Sequence, residues 1–143
     1  MSVLVGYDTT AASAQAILVA AEEARRRGVE LHILWHQEHD AGDSPVRARA
    51  EAEGGEVTDE RLESLASKLT ESGVTTHVEL QHGLHGGAAD ALLAAARRLN
   101  ADLIVLGLRP RPTIEKVLMG SVARSVMRAA PCPVLTVKAD AGK

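Results

Sequence analysis

The sequence predicts an α/β domain, an open sheet of five parallel strands with helices on both faces. Three observations lead there. Short runs rich in Val, Leu and Ile alternate along the chain with longer segments of helical apolar spacing. The chain has 143 residues, the size of one ordinary domain, expected to span 1–143 with a variable loop at 37–57 and a tail at 139–143. Its composition is 45% hydrophobic and 24% charged, enough to build a core and incompatible with a disordered chain.

The elements follow in order. Val3–Val5 reads as a buried strand ending at Gly6. Asp8, Thr9 and Thr10 carry side chains that cap helices. The helix over 11–27 places Ala14, Ile17, Ala21 and Ala24 on its inner stripe, with Arg25–Arg27 suiting the dipole of the last turn and Gly28 as the stop. Leu31–Trp35 is the second strand, and 37–57 a long loop with a helical turn around 46–52. A second helix opens at Thr58, with Val57 and Leu62 spaced as a hydrophobic staple and Leu62, Leu65 and Leu69 facing inward until Gly73. Thr76–Leu80 alternates as the third strand. After a glycine-marked turn, Ala89, Leu92, Ala96 and Leu99 form the next inner stripe, closed by Asn100. Asp102–Leu106 is the fourth strand, 120–130 the last helix with Val122, Val126 and Ala129 inward, and Val134–Val137 the fifth strand.

In open parallel sheets ligands bind beyond the carboxyl ends of the strands, where the strand order reverses. The residues there are Gly6, Tyr7 and Asp8 after strand one, His36 after strand two, Gln81–Gly83 after strand three, and the segment from Gly107. The only aromatic residues, Tyr7 and Trp35, fall on this rim or one residue from it, which points to a site role for at least one; covering the sheet edge is the simpler role. With no Phe in the chain, the core rests on Ala, Leu, Val and Ile, so alanine-rich helix faces must approach the sheet closely.

The formal net charge is −3, which argues against a generic nucleic-acid binder held by a basic surface. No apolar run approaches the roughly 18 residues of a membrane span, and the N-terminus lacks the pattern of a signal peptide. The single cysteine, Cys132, excludes an internal disulfide, and a buried inert thiol is its simplest reading; cytoplasmic residence is expected.

The most specific local feature runs from Gly107 to Ser121. It leads from a strand through a loop holding Pro110 and Pro112 to Gly120, Ser121 and Val122 at a helix start. Unsatisfied N–H groups at a helix N-terminus bind phosphate, glycine admits close approach, and the Ser121 hydroxyl adds a hydrogen bond. Residues 107–128 carry Arg109, Arg111, Lys116, Arg124 and Arg128 against Glu115 alone, a local charge of +4 that suits a polyphosphate. The competing role is structural, with Gly120 serving helix–sheet packing and the arginines a solvated face.

Val3-Leu-Val-Gly-Tyr-Asp8, Ala101-Asp-Leu-Ile-Val-Leu-Gly107 and the stretch 120–137 (Gly-Ser-Val-Ala-Arg-Ser-Val-Met-Arg-Ala-Ala-Pro-Cys-Pro-Val-Leu-Thr-Val) together resemble the universal stress protein family, over essentially the whole chain. The resemblance implies a Rossmann-like or flavodoxin-like sheet of order 3-2-1-4-5, and a homodimer formed through the last strand, Val134–Val137. One branch of that family binds ATP through Gly-x2-Gly-x9-Gly-(Ser/Thr). Gly107, Gly120 and Ser121 match that pattern, and Pro110 replaces its second glycine, removing an N–H and fixing φ near −65°. Asp8 matches the acid that contacts the nucleoside, and His36 stands where the base lies. Arg109 and Arg111 would supply charge in place of the missing amide.

The expected function is therefore a cytoplasmic stress-response module binding ATP, with or without Mg2+, at the carboxyl edge. The alternative is a nucleotide-free homodimeric interaction protein of the same fold. A third reading gathers His36, His39, His82 and His85 with Glu38 or Glu79 into a zinc or copper site, but no recognised ligand spacing supports it and exposed loop histidines are the simpler reading, so no metal is assigned. Gly83–Gly87 is a turn rather than a phosphate loop, and no nucleophile–base pair stands out, so any hydrolysis should be slow.

Overall fold

Strand β1 (Ser2–Tyr7) runs through the centre of the sheet, where Val3, Leu4 and Val5 are wholly buried. The computed structural model describes residues 1–38, 60–83, 87–108 and 120–138. After β1 come α1 (Ala11–Arg27), β2 (Glu30–Glu38), α2 (Glu60–Glu71), β3 (Thr76–Gly83), α3 (Gly87–Arg98), β4 (Ala101–Leu108), α4 (Ser121–Ala129) and β5 (Val134–Lys138). All strand pairs are parallel and the order is β3-β2-β1-β4-β5, as the sequence predicts. The expected helix start at Thr58, the staple at Val57, the loop at 37–57 beyond Glu38 and the tail at 139–143 lie outside the described residues.

The order explains the layers. From β1 to β3 the chain steps toward one edge of the sheet, and from β3 to β5 it jumps back across β1 toward the other. Right-handed crossovers in opposite directions place their helices on opposite faces. On one face Ile17, Ala20 and Ala24 of α1 and Leu62 of α2 pack against Val3, Val5, Leu31, Ile33 and Val105. On the other, Leu92 and Ala96 of α3 and Val126 of α4 pack against Leu4, Leu34 and Ile104. Each fully buried Leu, Ile or Val contributes about 1.5–3 kcal/mol.

Helix α1 shows why alanine is needed. Thr10 caps it, accepting the Ser13 N–H at 3.2 Å, and Gly28 closes it at φ 66° with its N–H on the Arg25 carbonyl. Its buried face is Ala12, Ser13, Ala16, Ile17, Ala20, Ala21 and Ala24, while the expected Ala14 is only half-buried. In α4 the buried residues are Ala123 and Val126; Val122 is half-buried and Ala129 exposed, so the inward face is turned about one residue from the predicted stripe.

The larger correction concerns strand ends. The apolar runs end early, but the ladders continue through polar residues because a parallel partner runs alongside. His36 pairs with Gln81, Glu38 with Gly83, Gly107 with Val137 and Leu108 with Lys138. Gly6, Tyr7, His36 and Gly107 thus lie within the carboxyl-terminal ends of their strands, not in loops beyond them.

Candidate functional site

A cleft of about 320 Å³ opens at the carboxyl edge, over the seam between β1 and β4 where the crossover direction reverses. Gly6 and Tyr7 come to it from β1, Asp8 from the turn just after it, His36 from β2, Gly107 from β4, and Gly120, Ser121 and Val122 from the start of α4. These are eight of the ten residues expected from the sequence; Arg109 and Arg111 lie outside the described residues.

Its floor is apolar, made by Leu34, Leu92 and Leu106. Gly6 lets this floor close. A Cβ there would stand 3.3 Å from Leu106 Cδ2 and 3.4 Å from the Leu92 methyls. Gly107 answers a stronger demand. A Cβ at Gly107 would meet the backbone of Ala12 at 2.5 Å and the Ser13 nitrogen at 2.8 Å. This glycine lets α1 lie on β4, a packing role that the phosphate motif does not predict. Gly120 is the opposite case, since among the described residues a Cβ there would meet nothing within 4 Å and its backbone, at φ −63° and ψ 163°, suits any residue.

Two helix N-termini border the cleft and differ in how they are satisfied. At α1 the chain turns through Thr9 at φ 69°, a left-handed conformation that costs a non-glycine residue free energy. The Asp8 carboxylate secures the turn, accepting the Thr10 N–H at 3.1 Å and the Thr10 hydroxyl. Ser13, 3% exposed, donates its hydroxyl to the Thr10 carbonyl at 2.9 Å and accepts the Asp8 N–H at 3.2 Å. Asp8 therefore shapes the loop as well as lining the cleft. Ser13 is a lining residue missed in the sequence; its only signal was its place three residues beyond the cap. At α4 the N-cap is Gly120, with no side-chain cap among the described residues, and the positive end of that helix borders the cleft through Gly120, Ser121 and Val122.

His36 is half-buried, and its Nδ1 is buried with no hydrogen-bond partner among the described residues. Trp35 departs from expectation. Its neighbours on β2 alternate, so it points to the α1–α2 face, where it packs edge-on against Tyr7 at 5.7 Å between ring centres. It is one ring removed from the cleft, whose lining includes Tyr7.

The rim histidine cluster is only partly described, since His39 and His85 and the side chain of His82 lie outside the described residues. Another group forms at the amino end of the β2–β3 pair, where Glu30, His32 and His77 converge. Burial first, and then the neighbouring His77, hold the His32 imidazole below its ordinary pKa. Nearby, burial raises the Glu79 carboxyl, but hydrogen bonds from Arg98 and Gln81 and the Arg98 charge outweigh it and leave the group below the usual carboxylate range.

An open parallel sheet with a glycine-lined cleft over its switch point defines a Rossmann-like α/β domain. Comparison with known proteins specifies it. The chain belongs to the universal stress protein family, whose model matches residues 1–138. It is 35% identical over 136 residues to a universal stress protein of Mycolicibacterium smegmatis, covering 95% of this chain and 96% of that one. Among solved structures, a universal stress protein family member from Burkholderia pseudomallei superposes with a TM-score of 0.69 at 26% identity, covering 96% of each chain. The universal stress protein from Archaeoglobus fulgidus in complex with dAMP superposes with a TM-score of 0.67 at 25% identity, covering 96% of this chain and 98% of that chain.

Proposed function

We propose that the chain, acting as one domain over 1–143 in the cytoplasm, is a stress-response regulatory module that binds an adenine nucleotide, ATP with or without Mg2+, in the cleft at the β1–β4 seam. The observation that carries this is the contrast between the two helix ends. The α1 terminus is capped by Thr10, whereas α4 opens onto the cleft with Gly120 and, among the described residues, no side-chain cap. The N–H groups of its first turn and the Ser121 hydroxyl would take phosphate oxygens. His36 Nδ1, buried and unpartnered among the described residues, would face the base, which the imidazole can also stack against. Asp8, which lines the cleft, would meet the ribose or base. Arg109 and Arg111 would add charge to the phosphates. The apolar floor suits a flat base, and the cleft volume is within the ordinary range for small-ligand sites. The dAMP complex of the Archaeoglobus fulgidus relative supports an adenine ligand.

Calorimetric titration with ATP and Mg2+, with GTP as control, tests this reading. Saturable ATP binding is expected, with Gly120→Val and Ser121→Ala each weakening it about ten-fold, or about 1.4 kcal/mol. Both variants should stay folded, because the Gly120 Cβ enters open space and Ser121 is exposed. Unchanged affinity in both variants, or no binding, would reject the site. No binding would favour a second reading, a nucleotide-free homodimeric interaction protein. That reading starts from β5, an edge strand on which Leu135 is 36% exposed.

A further inference from the structure

We propose that Glu30, His32 and His77 form a site for a divalent transition-metal ion, zinc being the ion we assign. The β2–β3 register sets His32 directly opposite His77, on the same sheet face. Their rings stack at 4.8 Å between centres and 21° between planes. Glu30, two residues before His32, has its side chain on that face too. Its Oε2 lies 3.3 Å from His77 Nε2 and 3.6 Å from His32 Nε2, and the three ligating atoms all fall within 4.8 Å of one another.

These separations are long for hydrogen bonds, which for N–H···O run about 2.7–3.2 Å. The two carboxylate–imidazole separations are close to what one ion imposes, and the stacked imidazoles would have to turn toward each other to complete its coordination. Around a tetrahedral ion with bonds of about 2.0–2.1 Å, ligand atoms stand about 3.3 Å apart. Two imidazoles and a carboxylate match the donor preference of zinc, leaving the fourth position to water. Among the described residues, Glu30 forms ion pairs with these two imidazoles and with no arginine or lysine. Glu79, on the same face, is taken instead by Arg98 at 2.6 Å, which keeps it from the ion. The His32 side chain is only 16% exposed and is held by packing, while His77 and Glu30 are half exposed and leave the ion a path from solvent. The site stands apart from the cleft, since His32 precedes His36 by four strand residues, about 13 Å.

The test is calorimetric titration of chelator-stripped full-length protein with zinc chloride, beside His77→Ala and Glu30→Gln. Both substituted residues are at the surface, so both variants should fold, which circular dichroism checks. One equivalent of zinc should bind to the wild type, and each variant should lose about ten-fold or more in affinity. Copper(II) in place of zinc should give an electron paramagnetic resonance spectrum with nitrogen couplings that diminish in His77→Ala. No zinc uptake, or unchanged zinc affinity in either variant, overturns the site; unchanged affinity would put the ion on other histidines.

Discussion

Single side chains here often serve two ends, and their chemistry follows from what surrounds them. Asp8 faces the cleft, yet its carboxylate also holds the turn into α1 through Thr10. Cys132 is simpler. Burial first, and then the nearby Asp102 charge, push its thiol up, although the Ile104 backbone N–H pulls the other way. Thiolate is the reactive form, so iodoacetamide should label Cys132 in the folded protein more slowly than in urea at the same pH. The rate in the folded protein should rise only as pH passes above the ordinary thiol range. The same shift makes the folded protein hold its proton longer than the unfolded chain. Its contribution to stability is therefore present at neutral pH and lost as pH rises through the raised pKa. Equal labelling rates with and without urea would contradict the assignment of an inert thiol.

Elements are where sequence reading both succeeds and falls short. The inner faces of α1, α2 and α3 are legible because apolar spacing records burial, and Ile17, Leu62 and Leu92 are buried as expected. Strand ends are not legible, because a ladder extends wherever a neighbour runs alongside, whatever the side chains. His36 and Gln81 belong to strands for that reason alone. The inward turn of α4 also escapes, since Val122 and Ala123 are both apolar and both line the cleft, and only the packing buries Ala123 and leaves Val122 half-buried. The contact of α1 with β4 yields a prediction at this scale. Gly107→Ala drives a Cβ into the Ala12 backbone, which cannot swing aside as a side chain can. The expected loss is about 3 kcal/mol, a fall in Tm of about 10 °C, read by thermal denaturation. Gly120→Ala, with open space around it, should stay within about 1 kcal/mol of wild type. A Gly107→Ala protein as stable as the wild type would show that α1 can slide away from the sheet.

At the scale of the molecule, the strand order brings together residues far apart in sequence. The cleft was readable because the rule for open sheets names the strand ends in advance, and the order placed β1 beside β4. The Glu30–His32–His77 group was not readable, because it depends on the register between β2 and β3, which neither segment carries by itself. The sheet also has two edges, β3 and β5, and among the described residues no helix is long and apolar enough to cross a membrane. In the proposed dimer β5 pairs with its copy, so Leu135→Glu should turn a dimer into a monomer in analytical ultracentrifugation with little change in Tm. A wild type that sediments as a monomer at about 100 μM would remove that interface, since an edge strand that pairs usefully should do so well below this concentration.

Gly107 and Gly120, two of the three glycines that line the cleft among the described residues, then differ as markers. Position 107 is constrained by the backbone of α1 whether or not anything is bound, so a relative that abandoned its ligand would still be expected to keep glycine there. Position 120 carries no such obligation, and a chain released from nucleotide could replace it freely. A search that scores both alike counts one architectural requirement as a sign of binding. When this family is sorted into binders and non-binders, the glycine at position 120 is the one to weigh.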